Sequence, residues 1–299
     1  NSTTENYTRL NSAPATSLNF TFYNIASASF VDSFYVGGQE GNPFGITFNT
    51  DGTKMFIVGN TGDDVNEYTL STGFDVSTAS FVTNFFVNSQ ESTPTGIAFN
   101  ADGTKMFIVG YGGDEVNEYT LSTGFSVSTA SYSQNFSVSS QDTQPEDIAF
   151  NTDGTKMFIV GTIGDAVYEY ALSTGFDVST ASYTQSFSVS SQDTNPTGLT
   201  FSSDGKLMFI TGVAGVDTVY RYSLSTGFDI STASFVDNFD VSTQAPNTRA
   251  VAFNNDGSKM FIVCSITDDV HEYTMPKSLA LGTGSFASAD VGKTIEANS

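Results

Sequence analysis

Asp51-Gly-Thr-Lys-Met-Phe-Ile-Val-Gly59 stands again, letter for letter, at Asp102–Gly110 and at Asp153–Gly161. Two looser copies follow, Asp204-Gly-Lys-Leu-Met-Phe-Ile-Thr-Gly212 and Asp256-Gly-Ser-Lys-Met-Phe-Ile-Val-Cys264. The spacing from Asp to Asp is 51, 51, 51 and 52 residues. A unit repeated at that period buries its apolar surface by stacking on its own copies, so the fold is one supersecondary motif set around an axis or along a line. A chain of near-identical units also has few places for a unique catalytic constellation.

The second copy shows what the motif is. Pro94–Asn100 is a short apolar run opened by proline, which a first strand position tolerates. Asn100-Ala-Asp-Gly103 reads as a tight turn, glycine supplying the positive φ. Lys105–Val109 is apolar on both faces, as a strand sandwiched between neighbouring sheets must be. Val116–Leu121 alternates as a third strand, Ser122-Thr-Gly-Phe125 turns, and Ser131–Val138 is a half-exposed fourth. Four antiparallel strands in about 50 residues, repeated, predict an all-β chain built of β-propeller blades.

The chain ends set the number of blades. The fourth strand is complete after the first four units, at Phe81–Val87, Tyr132–Val138, Tyr183–Val189 and Phe235–Val241. After the fifth, Glu272-Tyr-Thr-Met-Pro-Lys277 loses the pattern. The missing strand stands at the other end, where Ser27–Phe30 and Phe34–Val36 align with Thr78–Phe81 and Phe85–Val87 at an offset of 51. The expected architecture is a five-bladed propeller over residues 27–275, closed by an N-terminal strand that completes the last blade and leaves no exposed sheet edge at the seam. Residues 1–26 form a polar extension and 276–299 an attachment tail.

The 299 residues include 27 Phe and 13 Tyr but no Trp, and no apolar run approaches the roughly 20 residues of a membrane helix. Ten Lys and Arg face 32 Asp and Glu, a net charge of −22. Such a chain repels phosphate backbones, which argues against nucleic-acid binding. It suits instead a dispersed protein in a salty external medium. Cys264 is the only cysteine, expected as a small buried residue, so no intramolecular disulfide forms. The chain begins at Asn1 rather than Met, as a processed or partial chain does, and shows no signal peptide.

The unit Pro-Thr-Gly-Ile-Ala-Phe-Asn, Asp-Gly-Thr-Lys-Met-Phe-Ile-Val-Gly, Val-x-Glu-Tyr, Leu-Ser-Thr-Gly-Phe resembles the YVTN-type, broadly WD40-like, propeller repeat over roughly residues 27–275. The resemblance implies fold rather than function, because such propellers serve as enzymes, lectins and scaffolds. The tail Gly282–Ile295 is similar to a segment of bacteriophage tail-fibre and other virion proteins. The acidic, Ser/Thr/Asn-rich repeat is similar to marine phage and bacterial surface propellers. These resemblances imply an extracellular or virion location, with other subunits of the assembly bound through the tails.

Candidate sites follow from the loops and from the departures. The connections between fourth and first strands repeat a glutamine, Gln39, Gln90, Gln141, Gln192 and Gln244, followed in four blades by an acid, Glu40, Glu91, Asp142 and Asp193. Each glutamine either satisfies its own turn or forms, with its acid, one of several equivalent polar sites for a host-surface glycan. The loops between second and third strands carry Asp63, Asp64, Asp114 and Glu115. They are weak Ca²⁺ candidates, far short of six to eight ligands, and no other cofactor is implied. At the inner strand the copies disagree: Phe44, Thr95, Glu146, Thr197 and Arg249, then Gly45, Gly96, Asp147, Gly198 and Ala250. Phe44, Glu146, Asp147 and Arg249 therefore mark the channel mouth, near where the resemblance to five-bladed glycosidases implies carboxylates, so a hydrolase or lactonase-like enzyme would use Glu146, Asp147 and Arg249. Neighbouring strand residues point to opposite faces, and hydrolysis needs two acids about 5–9.5 Å apart, so an ion pair of Glu146 with Arg249 is the expectation. His271 and Arg221 read as surface residues. The function that follows is non-enzymatic recognition or display, as in a phage tail, fibre or decoration protein. The alternatives are a propeller hydrolase and a secreted bacterial lectin or surface-layer protein.

Overall fold

In the computed structural model, residues 18–21, 23–275 and 278–281 are described. Five four-stranded antiparallel sheets stand in a ring. Blade 1 comprises Pro43–Phe48, Lys54–Gly59, Asp64–Leu70 and Ala79–Phe86. Blade 2 comprises Pro94–Phe99, Lys105–Gly110, Glu115–Leu121 and Ala130–Ser137, and blade 3 comprises Pro145–Phe150, Lys156–Gly161, Ala166–Leu172 and Ala181–Ser188. Blade 4 comprises Pro196–Phe201, Leu207–Gly212, Thr218–Leu224 and Ala233–Asp240. In blade 5, Thr248–Phe253, Lys259–Cys264 and Asp269–Thr274 are completed by Ser29–Tyr35, which pairs with the third strand from Ser29↔Thr274 to Tyr35↔Asp269. The ring of five and its N-terminal closure are as the offset of 51 predicts.

The repeated phrase forms the core because both faces of its strand are covered. Met55 and Ile57 of blade 1 pack with Phe261 and Val263 of blade 5. From the opposite face Phe56 and Val58 meet Met106 and Ile108 of blade 2. All eight are fully buried. Fully burying side chains of this size stabilises the fold by about 1.5–3 kcal/mol each.

The Asp-Gly-Thr turn closes on itself, Asp51 Oδ1 accepting from the Thr53 amide at 3.0 Å and from its hydroxyl at 2.6 Å. Gly52 has φ 72°, and a Cβ there would lie 2.2 Å from the Phe74 ring. Phe74 itself has φ 57°, a conformation L-residues adopt at a cost of roughly 1–2 kcal/mol, held here by its ring packing on the turn. Phe125, Phe176 and Phe228 repeat this, and in blade 5 Tyr23, with φ 60°, lies against Gly257. Tyr23 and Ile25, both buried, thus occupy the places of Phe74 and Val76, and the packed body begins at Tyr23 rather than at residue 27. Leu18–Thr21 pairs antiparallel with Ser278–Leu281. The rest of the expected extension and tail lies outside the described residues.

Each blade also ties down the next. Lys54 Nζ lies 2.6 Å from Glu67 Oε1 and donates to the Phe125 carbonyl of blade 2 at 2.6 Å, while Glu67 Oε2 accepts from the Val127 amide at 3.0 Å. Lys105–Glu118, Lys156–Glu169 and Lys259–Glu272 repeat the ion pair. Between blades 4 and 5 the same positions are Leu207 and Arg221. Arg221 is only 8% exposed, donates Nη1 to the Tyr23 carbonyl at 2.8 Å and pairs with Asp237. The expected surface charge reversal is corrected: Arg221 is a buried latch on the segment that closes the ring.

Candidate functional site

The connections between fourth and first strands and between second and third strands meet on one face, the loop face. Glu40 shows how. Oε1 accepts from the amides of Asn42 (2.9 Å) and Thr61 (3.0 Å), and Oε2 from that of Gly62 (3.2 Å). Glu91 does the same for Thr93, Gly112 and Gly113. The shorter Asp142 and Asp193 bind loop amides and add the hydroxyls of Tyr168 and Tyr220, where the glutamate blades carry Asn66 and Asn117. All four acids are at most 2% exposed. Burial pushes Glu40 and Glu91 up despite the amides that oppose it. These four are staples between loops and not open ligand contacts, a correction to the expected glycan sites. Gln39, Gln90, Gln141 and Gln192 accept from the third-strand hydroxyls of Tyr68, Tyr119, Tyr170 and Tyr222 at 3.2–3.5 Å, rather than from turn backbone. Gln244 follows the same loop in blade 5, half-buried, and the Tyr273 hydroxyl there lacks a partner among the described residues.

His271 is 5% exposed, with neither ring nitrogen hydrogen-bonded among the described residues and the Phe30 ring centroid 6.0 Å away. Burial holds its pKa below 6.5. It is an interior residue, not the surface residue expected. It fills the position of Tyr168 and Tyr220 in the one blade whose loop acid is replaced by Ala245.

The acidic loops act locally. Asp63 and Asp114 take left-handed φ of 50° and 54°, and their carbonyls accept from the Val87 and Val138 amides. Asp64 accepts from the Asn66 amide group at 2.6 Å and Glu115 from that of Asn135 at 2.6 Å. Among the described residues no three ligand-type side chains converge as a metal site.

The mouth of the channel is where the copies part. Thr95 Oγ1 donates to the Pro145 carbonyl and Thr197 Oγ1 to that of Thr248, each at 3.0 Å, so threonine at this level stitches one inner strand to the next. Glu146 replaces that stitch with a carboxyl that is 7% exposed and whose Oε2 has no partner among the described residues. Burial pushes Glu146 up to about 7, with Arg249 acting the other way. Arg249 sits with its guanidinium 4.4 Å from the Phe44 ring centroid and donates Nε to Ser265 Oγ at 3.0 Å. The expected Glu146–Arg249 ion pair does not form. The cation is held by Phe44 of the next blade and Ser265 of its own strand pair, and reaches Glu146 only through space.

Asp147 has a different task. Its Oδ1 accepts from the Ile148 amide and its Oδ2 from the Leu199 amide of blade 4, both at 2.8 Å. The other blades have Gly or Ala here because inner strands nearly touch: a Cβ on Gly96 would lie 2.7 Å from the Asp147 Cα. Desolvation pushes Asp147 up to about 7 against those two amides. Of the adjacent acids, Asp147 bridges strands, whereas Glu146 Oε2 has no partner among the described residues.

Tyr111 completes the mouth, half-buried, its hydroxyl raised by burial and sensing both Glu146 and Arg249. Tyr111 and Ser265 are not among the candidates that the sequence singles out. Their signal was the residue after each second strand: Asn60, Tyr111, Thr162, Val213 and Ser265, five different side chains at one repeat position. At the opposite, turn face the channel opens into a cavity of about 440 Å³ edged by Asn49, Asn100, Thr152, Ser203 and Asn255.

No family model matches the chain, and no curated protein matches it in sequence. Solved structures do resemble it. A protein from Bacteroides uniformis provisionally assigned as a 6-phosphogluconolactonase is 13% identical over 77% of this chain and 66% of its own, with a TM-score of 0.49. Kuenenia stuttgartiensis hydrazine synthase is 18% identical over 78% of this chain and 58% of its own (TM-score 0.48). The β-propeller domain of Myceliophteria thermophila Cps50 (Swd1) is 8% identical over 83% and 100% (TM-score 0.47). At such identities the likeness concerns the fold alone.

Proposed function

We propose that this chain is a non-enzymatic recognition propeller of a virion or other extracellular surface, meeting a host-surface glycan at the channel mouth on its loop face. One observation carries the reading: five copies that share the sandwiched strand and its Asp-Gly turn differ at the mouth, in the ring from Phe44 to Arg249 and in the ring from Asn60 to Ser265. Charge, size and aromaticity vary together there, on the face where loops meet and binding residues are most often placed. The two ends leave the ring on the other face, Tyr23 bonding to the Gly257 carbonyl and Met275 to that of Ser258, both in the turn of blade 5. A ring held from that side presents its mouth outward. Against catalysis stands Asp147, whose carboxyl bridges strands.

The test is binding of the intact chain to a glycan array and to intact cells, before and after combined Tyr111→Ala and Arg249→Ala substitution. Binding should fall at least tenfold in the double variant. Undiminished binding, or turnover of a glycoside or lactone abolished by Glu146→Gln, overturns the reading.

A further inference from the structure

Among the described residues, the two Lys or Arg side chains without a carboxylate ion pair are Lys206, which is exposed, and Arg249, which is half-buried at the mouth. Lys54, Lys105, Lys156 and Lys259 are each paired with a glutamate, and Arg221 with Asp237. Arg249 is not paired. Phe44 and Ser265 fix its position but engage only the ring-facing surface and Nε. Its two Nη groups, the fork that grips a carboxylate or sulfate with parallel bonds, make no hydrogen bond to a described residue.

A second observation points the same way. Glu146 Oε2 is buried and unpartnered, and Glu146 lies within electrostatic reach of both Arg249 and Tyr111. Buried polar atoms are almost always satisfied, and this orphan, unlike those of His271 and Tyr273, lies within electrostatic reach of an open fork, where a ligand can supply its partner. The two demands together are an anion and, next to it, a hydroxyl donor. Nucleobases fit poorly, because the Phe44 ring is 5% exposed and already covered by the guanidinium. Sugars that carry an acid group have both features on one ring.

Resting on the recognition role proposed above, we propose that the mouth binds an acidic sugar, its carboxylate or sulfate in the Nη fork of Arg249 and a hydroxyl donating to Glu146 Oε2. The net charge of −22 does not forbid this. Long-range repulsion is screened beyond about 8 Å at physiological ionic strength. Within the mouth Arg249 supplies the positive charge, while burial, with Asp142 adding to it, pushes the Glu146 carboxyl up to about 7.

The test compares acidic glycans (uronic, sialylated and sulfated) with their neutral counterparts on one array, followed by calorimetry of the best acidic hit, its neutral counterpart and sodium sulfate. Wild type, Arg249→Ala, Arg249→Lys and Glu146→Gln are compared after thermal melts confirm folding. Acidic glycans should bind at least tenfold tighter than neutral ones. Arg249→Ala should remove that preference, Arg249→Lys restore part of it, and Glu146→Gln weaken both classes. Sulfate competing as well as the glycan overturns the sugar and leaves an adventitious ion only. Neutral glycans bound equally well, and lost on mouth substitution, overturn the acidic preference while the recognition role stands. No glycan bound at all overturns both.

Discussion

At the scale of single residues, the two acids of blade 3 tie stability to pH. Glu146 and Asp147 shift from ordinary values of 4.5 and 3.8 to about 7 in the folded chain. The folded state therefore holds their protons more tightly, and their contribution to stability is present below the ordinary values and lost as pH rises toward 7. We expect Tm to fall between pH 5 and 8, and to fall less steeply in Glu146→Gln, measured by thermal melts at fixed ionic strength. His271 works with the opposite sign below 6.5, since burial disfavours its charged form, so the variant's slope is the informative comparison. Identical slopes would mean that Glu146 is ionised and solvated. The loop acids make a second expectation. Asp142→Ala strands the Gln144 and Gly164 amides and the Tyr168 hydroxyl, and should cost about 2–3 kcal/mol in denaturant melts, an order-of-magnitude figure. Nothing in the sequence tells such a carboxylate from a solvated one, because the Gly164 amide and the Tyr168 hydroxyl that converge on it lie 22 and 26 residues on.

At the scale of strands and blades, the junction between blades 4 and 5 is where closure is decided. Four junctions use a lysine–glutamate pair to hold the next turn, and the fifth uses Arg221 on the Tyr23 carbonyl. Arg221→Ala should cost about 2 kcal/mol, discounted because Asp237 is part-exposed, and speed amide exchange in Ser29–Tyr35 more than in any other outer strand. Grafting the common junction by Leu207→Lys, Arg221→Glu and Asp237→Gln should recover most of that loss. If the graft is no better than Arg221→Ala, the turn at Tyr23 needs guanidinium geometry and not merely a buried pair. The strand itself was legible from Ser27–Phe30, because an offset of 51 preserved letters. The turn before it was not, because Phe74 and Val76 are matched only in chemistry by Tyr23 and Ile25. Arg221 was illegible for another reason: the Tyr23 carbonyl that it latches lies 198 residues away across the seam.

At the scale of the whole molecule, charge sits on a frame that hydrophobic packing determines. The sandwiched strand is readable in any one copy, since Met-Phe-Ile-Val admits no solvent face, and five copies made the ring follow. The mouth was legible only as disagreement among copies: Glu146 and Arg249 stood out by sign, whereas Tyr111 and Ser265 belong to a second ring that only the folded chain brings beside the first. The charge bears on the fold in a testable way. Among the described residues four ion pairs join Lys to Glu and one joins Arg221 to Asp237, while the chain carries 32 acids against 10 bases, a large surplus of acids. Those acids repel one another more in the compact ring than in the unfolded chain, so salt that shortens the Debye length from about 30 Å at 0.01 M to about 8 Å at 0.15 M should stabilise it. Screening also weakens the ion pairs, but each side chain pair is buried on the glutamate side and less exposed to salt than the surface acids. Tm should therefore rise from 0.01 to 0.15 M NaCl, with the same rise in KCl if screening and not specific ion binding is the cause. A fall in Tm over that range would mean that the ion pairs between blades, and not the surface surplus, dominate the electrostatics of the ring.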